Sequence, residues 1–371
     1  CLRDEDLRAD RQPEFTQIDM EMSFIDREDI YKTVEGLLKN IFKKAINIDI
    51  KIPFQRLTYH EAMSRYGSDK PDMRFGLELE DVTGIMKHSE FNVFKSIIDK
   101  KGVVYCLNAK KCGNFSRKDI DELIEISRIY KLSGLAWIKV EKGNKLESSI
   151  VKYLPDNVQK DLLKHLNAKE DDLLLFAAEQ FEKCVTALGE VRLHIARKSN
   201  LLDPKDFKFC WVTDFPSFEI DEATNSWVAK HHIFTSPLDE DIEYIESNPE
   251  NVRAKAYDVV LNGVEIGGGS IRINRRDLQT RMLQVTGLTY EEAEKKFDFL
   301  LNAFKFAPPP HGGIAIGFDR LVALLAGIND IREIIAFPKN KAAENPMDSS
   351  PQDWSHEFLR ELNLKLDTAK K

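Results

Sequence analysis

The sequence predicts an α+β fold interrupted by a separate α/β insertion. Three observations point there. Strand-like runs toward both ends of the chain come as antiparallel-compatible hairpins, not in a βαβ rhythm. The stretch 76–205 has a different texture, with short apolar runs between polar amphipathic helices, and it lacks the acid-plus-arginine pattern found on either side. Neither a GxGxxG sequence nor a P-loop occurs, so neither standard nucleotide cradle is present.

With 371 residues, 42% of them hydrophobic, the chain is long enough for two or three domains with real cores. The divisions are expected at 1–75, 76–205, 206–345 and 346–371. A net charge of −8 gives no global basic field, so any RNA contact must come from local patches. The cysteines (Cys1, Cys106, Cys112, Cys184, Cys210) form no CxxC pair and no metal spacing, which reads as reduced thiols in a cytoplasmic protein. There is no apolar run of 18 residues for a membrane helix and no signal peptide. Cys1-Leu2-Arg3 lacks an initiator methionine and reads as mid-strand, so an N-terminal truncation is expected.

Residues 14–24 alternate: Thr16, Ile18, Met20, Met22 and Phe24 take one side, and Phe15, Gln17, Asp19, Glu21 and Ser23 the other, the period of a strand. Asp26 then caps a helix with the apolar stripe Ile30, Val34, Leu37, Leu38 and Ile41. The segment 53–75 ends in a Gly/Ser/Asp/Lys/Pro loop that marks a boundary. Inside the insertion, 102–107 and 133–140 read as strands, and 116–130 and 155–168 as helices. Lys95, Lys100, Lys110, Lys111, Arg117 and Lys118 make either an RNA-facing patch or a solvated charged face. Strand texture returns at 207–220 and 256–273. A Thr289–Glu292 capping box opens a helix packing Ala293, Phe297, Leu300 and Phe304. The strand GIAIGF runs into the helix DRLVALLAG, and 351–366 reads as one amphipathic helix.

Asn262-Gly263 between apolar runs is a strong type I′ hairpin signal. That turn pairs Val260 with Glu265, and Asp258 shares the face of Val260, so the two carboxylates lie diagonally adjacent. Such a pair suits Mg²⁺, which takes one or two carboxylates plus substrate phosphates; the alternative is a solvated hairpin face. Glycines 267–269 suggest a bulge or a close backbone approach. A bulge would flip parity and bring Arg272 to the face of Glu265, either as a carboxylate receptor or merely as its ion-pair partner. His231 and His232 on an extended segment would point opposite ways, so at most one lines a given pocket, and no third ligand suggests zinc. Arg320 in the first turn of a helix opposes the macrodipole, a cost that a phosphate there would offset. Arg3 and Arg320, each beside acidic residues, are the guanidinium groups a polyphosphate site needs.

These stretches resemble a known family. RDEDLRADRQPEFTQID (3–19) is similar to motif 2 of class II aminoacyl-tRNA synthetases in its aspartate-specific form, and GGIAIGFDRL (312–321) to motif 3. HHIFTSP, AYDVVLNGVEIGGGSIRI and RYGSDKPDMRF resemble further signatures of bacterial-type aspartyl-tRNA synthetases, whose large insertion would be 76–205. The resemblance implies an antiparallel catalytic sheet flanked by helices, split between 1–75 and 206–345, with 346–371 as a C-terminal extension. It implies ATP-dependent activation of L-aspartate to aspartyl-adenylate and transfer to the acceptor end of tRNA, with ATP and Mg²⁺ as cofactors.

Roles follow residue by residue. Arg3 would hold the α-phosphate and the aspartate carboxylate, and Arg320 the γ-phosphate. Asp4, Glu5, Gln12, Glu265, Gly317, Phe318 and Asp319 would line the ATP site, with Phe15 stacking on adenine. Asp258 and Glu265 would hold Mg²⁺. Arg272 would read the substrate side chain, His231 would close that pocket, and Asp19 would face the ammonium group. The family also has an N-terminal anticodon-reading barrel and a motif 1 dimer interface that this sequence lacks. A homodimer is therefore implied for a full-length protein, and the activity of the isolated chain stays open. Asparagine or lysine pockets would not want Arg272, which disfavours those relatives. The remaining alternative is a non-catalytic paralogue binding RNA or a partner, for which the retained arginines and carboxylates have no use.

Overall fold

The computed structural model describes residues 1–3, 9–221, 223–352 and 355–366. Helices and sheets are mixed throughout. The chain forms two compact units, one of Cys1–Asp19 with Ala315–Lys371, the other of Met20–Ile314.

Strand β1 (Gln17–Ser23) shows the expected alternation, its odd-numbered residues after Gln17 exposed and its even-numbered ones half-buried. Asp26 accepts the N–H groups of Glu28 and Asp29 in a capping box and starts the helix Arg27–Ile46. That helix buries Ile30, Tyr31, Val34, Leu38 and Phe42. Then follow β2 (Gln55–Thr58) and a short helix, Tyr59–Tyr66, with its own Thr58/Glu61 capping box. Its end is a left-handed Gly67 (φ 69°). Left-handed backbone is cheap for glycine, and here helix Phe181–Lys198 leaves no room for a side chain.

The insertion holds β3 (Leu79–Asp81), β4 (Val103–Ala109), β5 (Ala136–Glu141), β6 (Lys145–Glu147) and β7 (Leu173–Glu179). They form one sheet in the order β3-β4-β7-β5-β6, each neighbouring pair antiparallel. Leu107 and Leu175 pack on one face with Ile120, Leu123, Val185 and Leu188 from helices Arg117–Ile129 and Phe181–Lys198. Val104, Leu174 and Phe176 pack on the other with Val158 and Leu162.

After the insertion come β8 (Phe209–Thr213), a hairpin of β9 (Phe218–Asp221) and β10 (Ser226–Ala229), then β11 (Ala256–Leu261), β12 (Val264–Ile271) and β13 (His311–Gly317). The second sheet runs β1-β13-β12-β11-β8-β2. Its β8–β11 and β11–β12 pairs are antiparallel and β2–β8 is parallel.

Several expectations are corrected. The run 207–220 is two strands, broken where Asp214 takes φ 57° and Pro216 follows. The six basic residues of the insertion are not one patch. Lys95 and Lys100 precede β4 while Lys110 and Lys111 follow it, a strand of seven residues at about 3.4 Å each. Lys110 is turned onto the carbonyl of Asn167 (2.8 Å) and onto Asp172 (3.1 Å), and Arg117 pairs with Asp121 at 3.0 Å. The helix Tyr290–Ala303 is kinked at Phe297 (φ −126°), so Leu301 is buried instead of Leu300. Near the C-terminus, among the described residues of 351–366, the helix is His356–Glu361. Among the described residues all the cysteines are free, with Cys1 exposed and the others buried. No helix of the described residues is long and apolar enough to cross a membrane.

Candidate active site

The turn of the β11–β12 hairpin has Asn262 at φ 53° and Gly263 at φ 84°, the positive angles a type I′ turn requires. Val260 pairs with Glu265, but Val259 pairs with Gly267, so Ile266 is an extra residue and the hairpin carries the expected bulge. Beyond it Asp258 faces Gly268. With the bulge, Asp258, Glu265, Gly268, Ser270 and Arg272 share one face. A β-carbon at Gly268 would stand 2.5 Å from Asp258 Oδ1 and 3.5 Å from Glu265 Oε1, so the two carboxylates close over a space only glycine leaves open. Asp258 is 8% exposed. Burial, and then the charge of Glu265, push its carboxyl well above the usual range. Lys70 stands at this pair, its Nζ 3.2 Å from Glu265 Oε2.

Arg272 does not pair with Glu265. Its Nε and Nη2 donate to the two carboxylate oxygens of Glu21 (3.2 and 3.1 Å), and Nη1 donates to Ser270 Oγ (2.6 Å). Gly313 permits this, since a side chain there would collide with the Glu21 carboxylate. The fork is thus fixed in plane by partners 251 and 2 residues away. His231 and His232 both line one water-sized cavity with Ser217, Thr235 and Met282, against the expectation that only one could. The cause is local: His232 accepts the turn-closing N–H of Thr235 at its carbonyl, so the segment bends instead of running extended. The His231 ring meets Phe215 edge-on at 4.5 Å. Burial, and then the neighbouring Lys230, depress the pKa of His231; burial and Arg272 do the same to His232. Both therefore favour the neutral imidazole.

The other unit holds Arg3 and Arg320, the two arginines expected at the phosphates. Arg3 donates its backbone N–H to Pro13 (2.9 Å), and its guanidinium lies 5.2 Å from the centre of the Phe15 ring. Gln12 is 4% exposed, and its Oε1 accepts the N–H of Lys339 at 2.8 Å, so that amide oxygen holds the backbone. Gly317 is the N-cap of helix Phe318–Ala326 and gives it no side-chain cap. Asp319 is buried and accepts the N–H of Thr16 (2.8 Å). Arg320 Nη2 lies 3.3 Å from the Asp10 carbonyl oxygen and 3.5 Å from its carboxylate. Phe318 and Asp19 are exposed. Asp4 and Glu5 lie outside the described residues.

The profile of the family described as "tRNA synthetases class II (D, K and N)" matches residues 1–341. The chain belongs to that family. It is 50% identical over 366 residues to the aspartate–tRNA ligase of Ruminiclostridium cellulolyticum, covering 99% of this chain and 62% of the relative. It is 50% identical over 367 residues to the aspartate–tRNA(Asp/Asn) ligase of Caldanaerobacter subterraneus subsp. tengcongensis, with the same shares. A solved aspartyl-tRNA synthetase from Entamoeba histolytica superposes with a TM-score of 0.42 at 16% identity, over 93% of this chain and 47% of that one. The chain thus spans about 62% of the length of the curated relatives it matches.

Within this class II synthetase chain, three residues escaped the sequence reading: Glu21 as the holder of Arg272, Lys70 at the acid pair, and Asp10 beside Arg320. Glu21 was at least placed on the polar face of β1 with Asp19. Lys70 and Asp10 lie within the stretches RYGSDKPDMRF and RDEDLRADRQPEFTQID, but nothing local gave either a role. Among the described residues no group of three or more His, Cys, Asp or Glu side chains could hold a metal ion. The donor set that fits Mg²⁺ is the two-carboxylate pair, since Mg²⁺ keeps waters and phosphate oxygens in its remaining positions. The glycine-lined space between Asp258 and Glu265, with an ammonium already drawn to it, fits a cation.

Proposed function

We propose that this chain carries the aspartate-activating site of an aspartate–tRNA ligase. The observation that carries the reading is the planar, pre-set fork of Arg272 on the same hairpin face as Asp258 and Glu265. An arginine fork binds a carboxylate through two parallel N–H bonds, and here it is held by Glu21 and Ser270 before any substrate arrives. A neutral asparagine side chain in that place would bring an amide NH₂, itself a donor, to guanidinium N–H groups that Glu21 and Ser270 leave in need of an acceptor. Sites built around such a pair reject the analogue lacking it far more strongly than sites that read shape.

In this reading the substrate α-carboxylate attacks the α-phosphorus of ATP. An O–P bond forms, the bond to the bridging oxygen breaks, and pyrophosphate leaves. No general base is needed, because the nucleophile is already an anion. What the protein supplies is in-line positioning and charge neutralisation. Arg3 takes the α-phosphate and Arg320 the γ-phosphate. Phe15 offers its ring to the adenine, with Gln12, Gly317, Phe318 and Asp319 shaping the backbone around them. Neutral His231 bounds the aspartate pocket without adding a cation that would blur its reading of charge, and Asp19 takes the substrate ammonium. Asp258 and Glu265 would hold Mg²⁺, which neutralises phosphate charge when bound. The region 76–205 is the insertion, set between the two catalytic parts 1–75 and 206–345, and residues 346–371 extend the second. The second substrate is the acceptor end of tRNA, and a homodimer in the cytoplasm is the assembly this reading carries.

The test is aspartate-dependent exchange of pyrophosphate into ATP. Arg272→Leu should lose it while ATP binding changes little; exchange at the unaltered rate would refute the role.

A further inference from the structure

Residues 68–77 join the helix Tyr59–Tyr66 to β3 and have no regular structure, yet they are held from two sides within one unit. On one side lies the β11–β12 hairpin. Lys70 Nζ reaches Glu265 at 3.2 Å, and Asp72 packs so near the turn that a β-carbon at Gly263 would meet its Cβ at 3.2 Å. On the other side lies Arg192 of helix Phe181–Lys198, 1% exposed. Its Nε donates to the carbonyl of Leu77 (3.0 Å), and its Nη2 points to those of Asp72 (2.9 Å), Gly76 (3.1 Å) and Phe75 (3.2 Å). Its plane also covers the Phe75 ring at 4.0 Å. One buried guanidinium therefore satisfies four loop carbonyls that have no ladder to join. A charge with no carboxylate in direct contact is rarely buried this deeply, and burial lowers its pKa to about 10.

These bonds fix the loop as well as offsetting the burial of the charge. The end of the loop that Arg192 does not touch presents Lys70 to two carboxylates crowded into a glycine-lined space. Two such groups repel unless a cation sits with them.

We propose that Lys70 is the resident counter-ion of the Asp258–Glu265 pair, held in place by Arg192 from the insertion, so that a divalent cation occupies the pair only by displacing the Lys70 ammonium. Arg192 is then a positioning residue acting through the loop. This rests on the reading of that pair as the metal site. It gives the helix Phe181–Lys198 a task in the chemistry: it sets how strongly the pair takes metal, and it couples metal entry to movement of the loop.

The probe is Mn²⁺ alone, without nucleotide, followed by the electron paramagnetic resonance signal of the free ion. Glu265→Gln should weaken binding about tenfold or more, and Lys70→Met should tighten it about two- to fivefold, the change expected when a competing, partly exposed ion pair is removed. Arg192→Lys keeps the charge but loses the fork; it should tighten binding by less, and combined with Lys70→Met it should add nothing. Arg192→Met is the stronger variant where thermal melting shows it folded. Binding that is unchanged or weaker in Lys70→Met, with Glu265→Gln still disabled, overturns the counter-ion proposal and leaves the metal site standing. Arg192→Lys indistinguishable from the parent overturns the part given to Arg192. No effect of Glu265→Gln overturns the metal site itself and this proposal with it.

Discussion

The two large sheets are built on opposite principles. In the insertion, β4 pairs β7 from Val103–Glu179 to Ala109–Leu173 without a shift of register, and consecutive residues of β7 feed two separate apolar clusters. Of its charges, Lys110 pairs with Asp172 and Arg117 with Asp121 at the ends of its elements, while the buried Arg192 is turned away from the sheet onto the carbonyls of residues 72–77. In the other sheet the β11–β12 pair slips by one residue at Ile266 and carries three successive glycines. One of its faces presents two carboxylates, a serine and an arginine. A strand covered on both sides can only add stability. A strand that keeps one polar face forgoes part of that burial and gains a surface where charge can be placed to within an ångström. The bulge is the device that makes the second kind work, because it puts Glu265 and Arg272 on the same side.

The largest expected effect separates the two sheets most sharply. Arg272→Leu should cost aspartate activation about 2–5 kcal/mol, since it removes one partner of a hydrogen-bonded charge pair. That is a loss of roughly thirty-fold to several-thousand-fold in aspartate-dependent exchange at about 1.4 kcal/mol per factor of ten. Its melting temperature should barely move, because the side chain is only partly buried. Leu175→Ala should behave in the reverse way. Leu175 is 0% exposed at the centre of the inserted sheet, and removing it should destabilise the chain by about 2–5 kcal/mol in denaturant titration, with the KM for aspartate unchanged in folded protein. A large KM change in Leu175→Ala would break the division of labour. Gly268→Ala falls between: its methyl group would push Asp258 and Glu265 apart, costing about 1–3 kcal/mol of stability as an overpacked site, and Mn²⁺ binding should fall with it.

The same contrast governs what could be read from the sequence. Asn262-Gly263 announced its turn because only a few residues accept two positive φ angles, and the glycine run announced the bulge. Asp26, Thr289 and the alternation of β1 were legible for the same reason: local chemistry admits one local structure. By contrast β7, LLLFAAE, was invisible, because burial on both faces erases the period of two that marks a strand. Glu21 could be assigned a face, but its partner Arg272 lies 251 residues on, and no local pattern encodes that distance. Lys70 and Arg192 were illegible for a deeper reason. Arg192 recognises backbone carbonyls, which every residue has, so the sequence of its partners carries no sign of it. The tail misled in the other direction: 351–366 has an amphipathic pattern, yet among its described residues the helix is His356–Glu361, and Leu362, Leu364 and Leu366 stay exposed, without the burial that holds so short a helix.

The smaller predictions ask whether the two sheets fail together. Ser116→Ala removes the hydroxyl that accepts the N–H of Asp119 in the capping box of helix Arg117–Ile129, and should cost about 1 kcal/mol. Gly36→Ala should go the other way. Gly36 sits exposed inside helix Arg27–Ile46, a β-carbon there would meet nothing within 4 Å, and alanine in a helix interior is better than glycine by about 0.5–1 kcal/mol. The two substitutions lie on opposite sides of the comparison, one under the inserted sheet and one against the sheet that carries Arg272, yet both belong to the unit Met20–Ile314. A unit that unfolds cooperatively must report both on one transition: Gly36→Ala should raise the denaturation midpoint, Ser116→Ala should lower it, and the double variant should land at the sum. Their separation in space leaves no contact through which they could couple. Two resolved transitions, one moved by each substitution, would show that the insertion unfolds on its own. The Arg192 clamp on residues 68–77 would then be a joint between independent bodies instead of a strut within one.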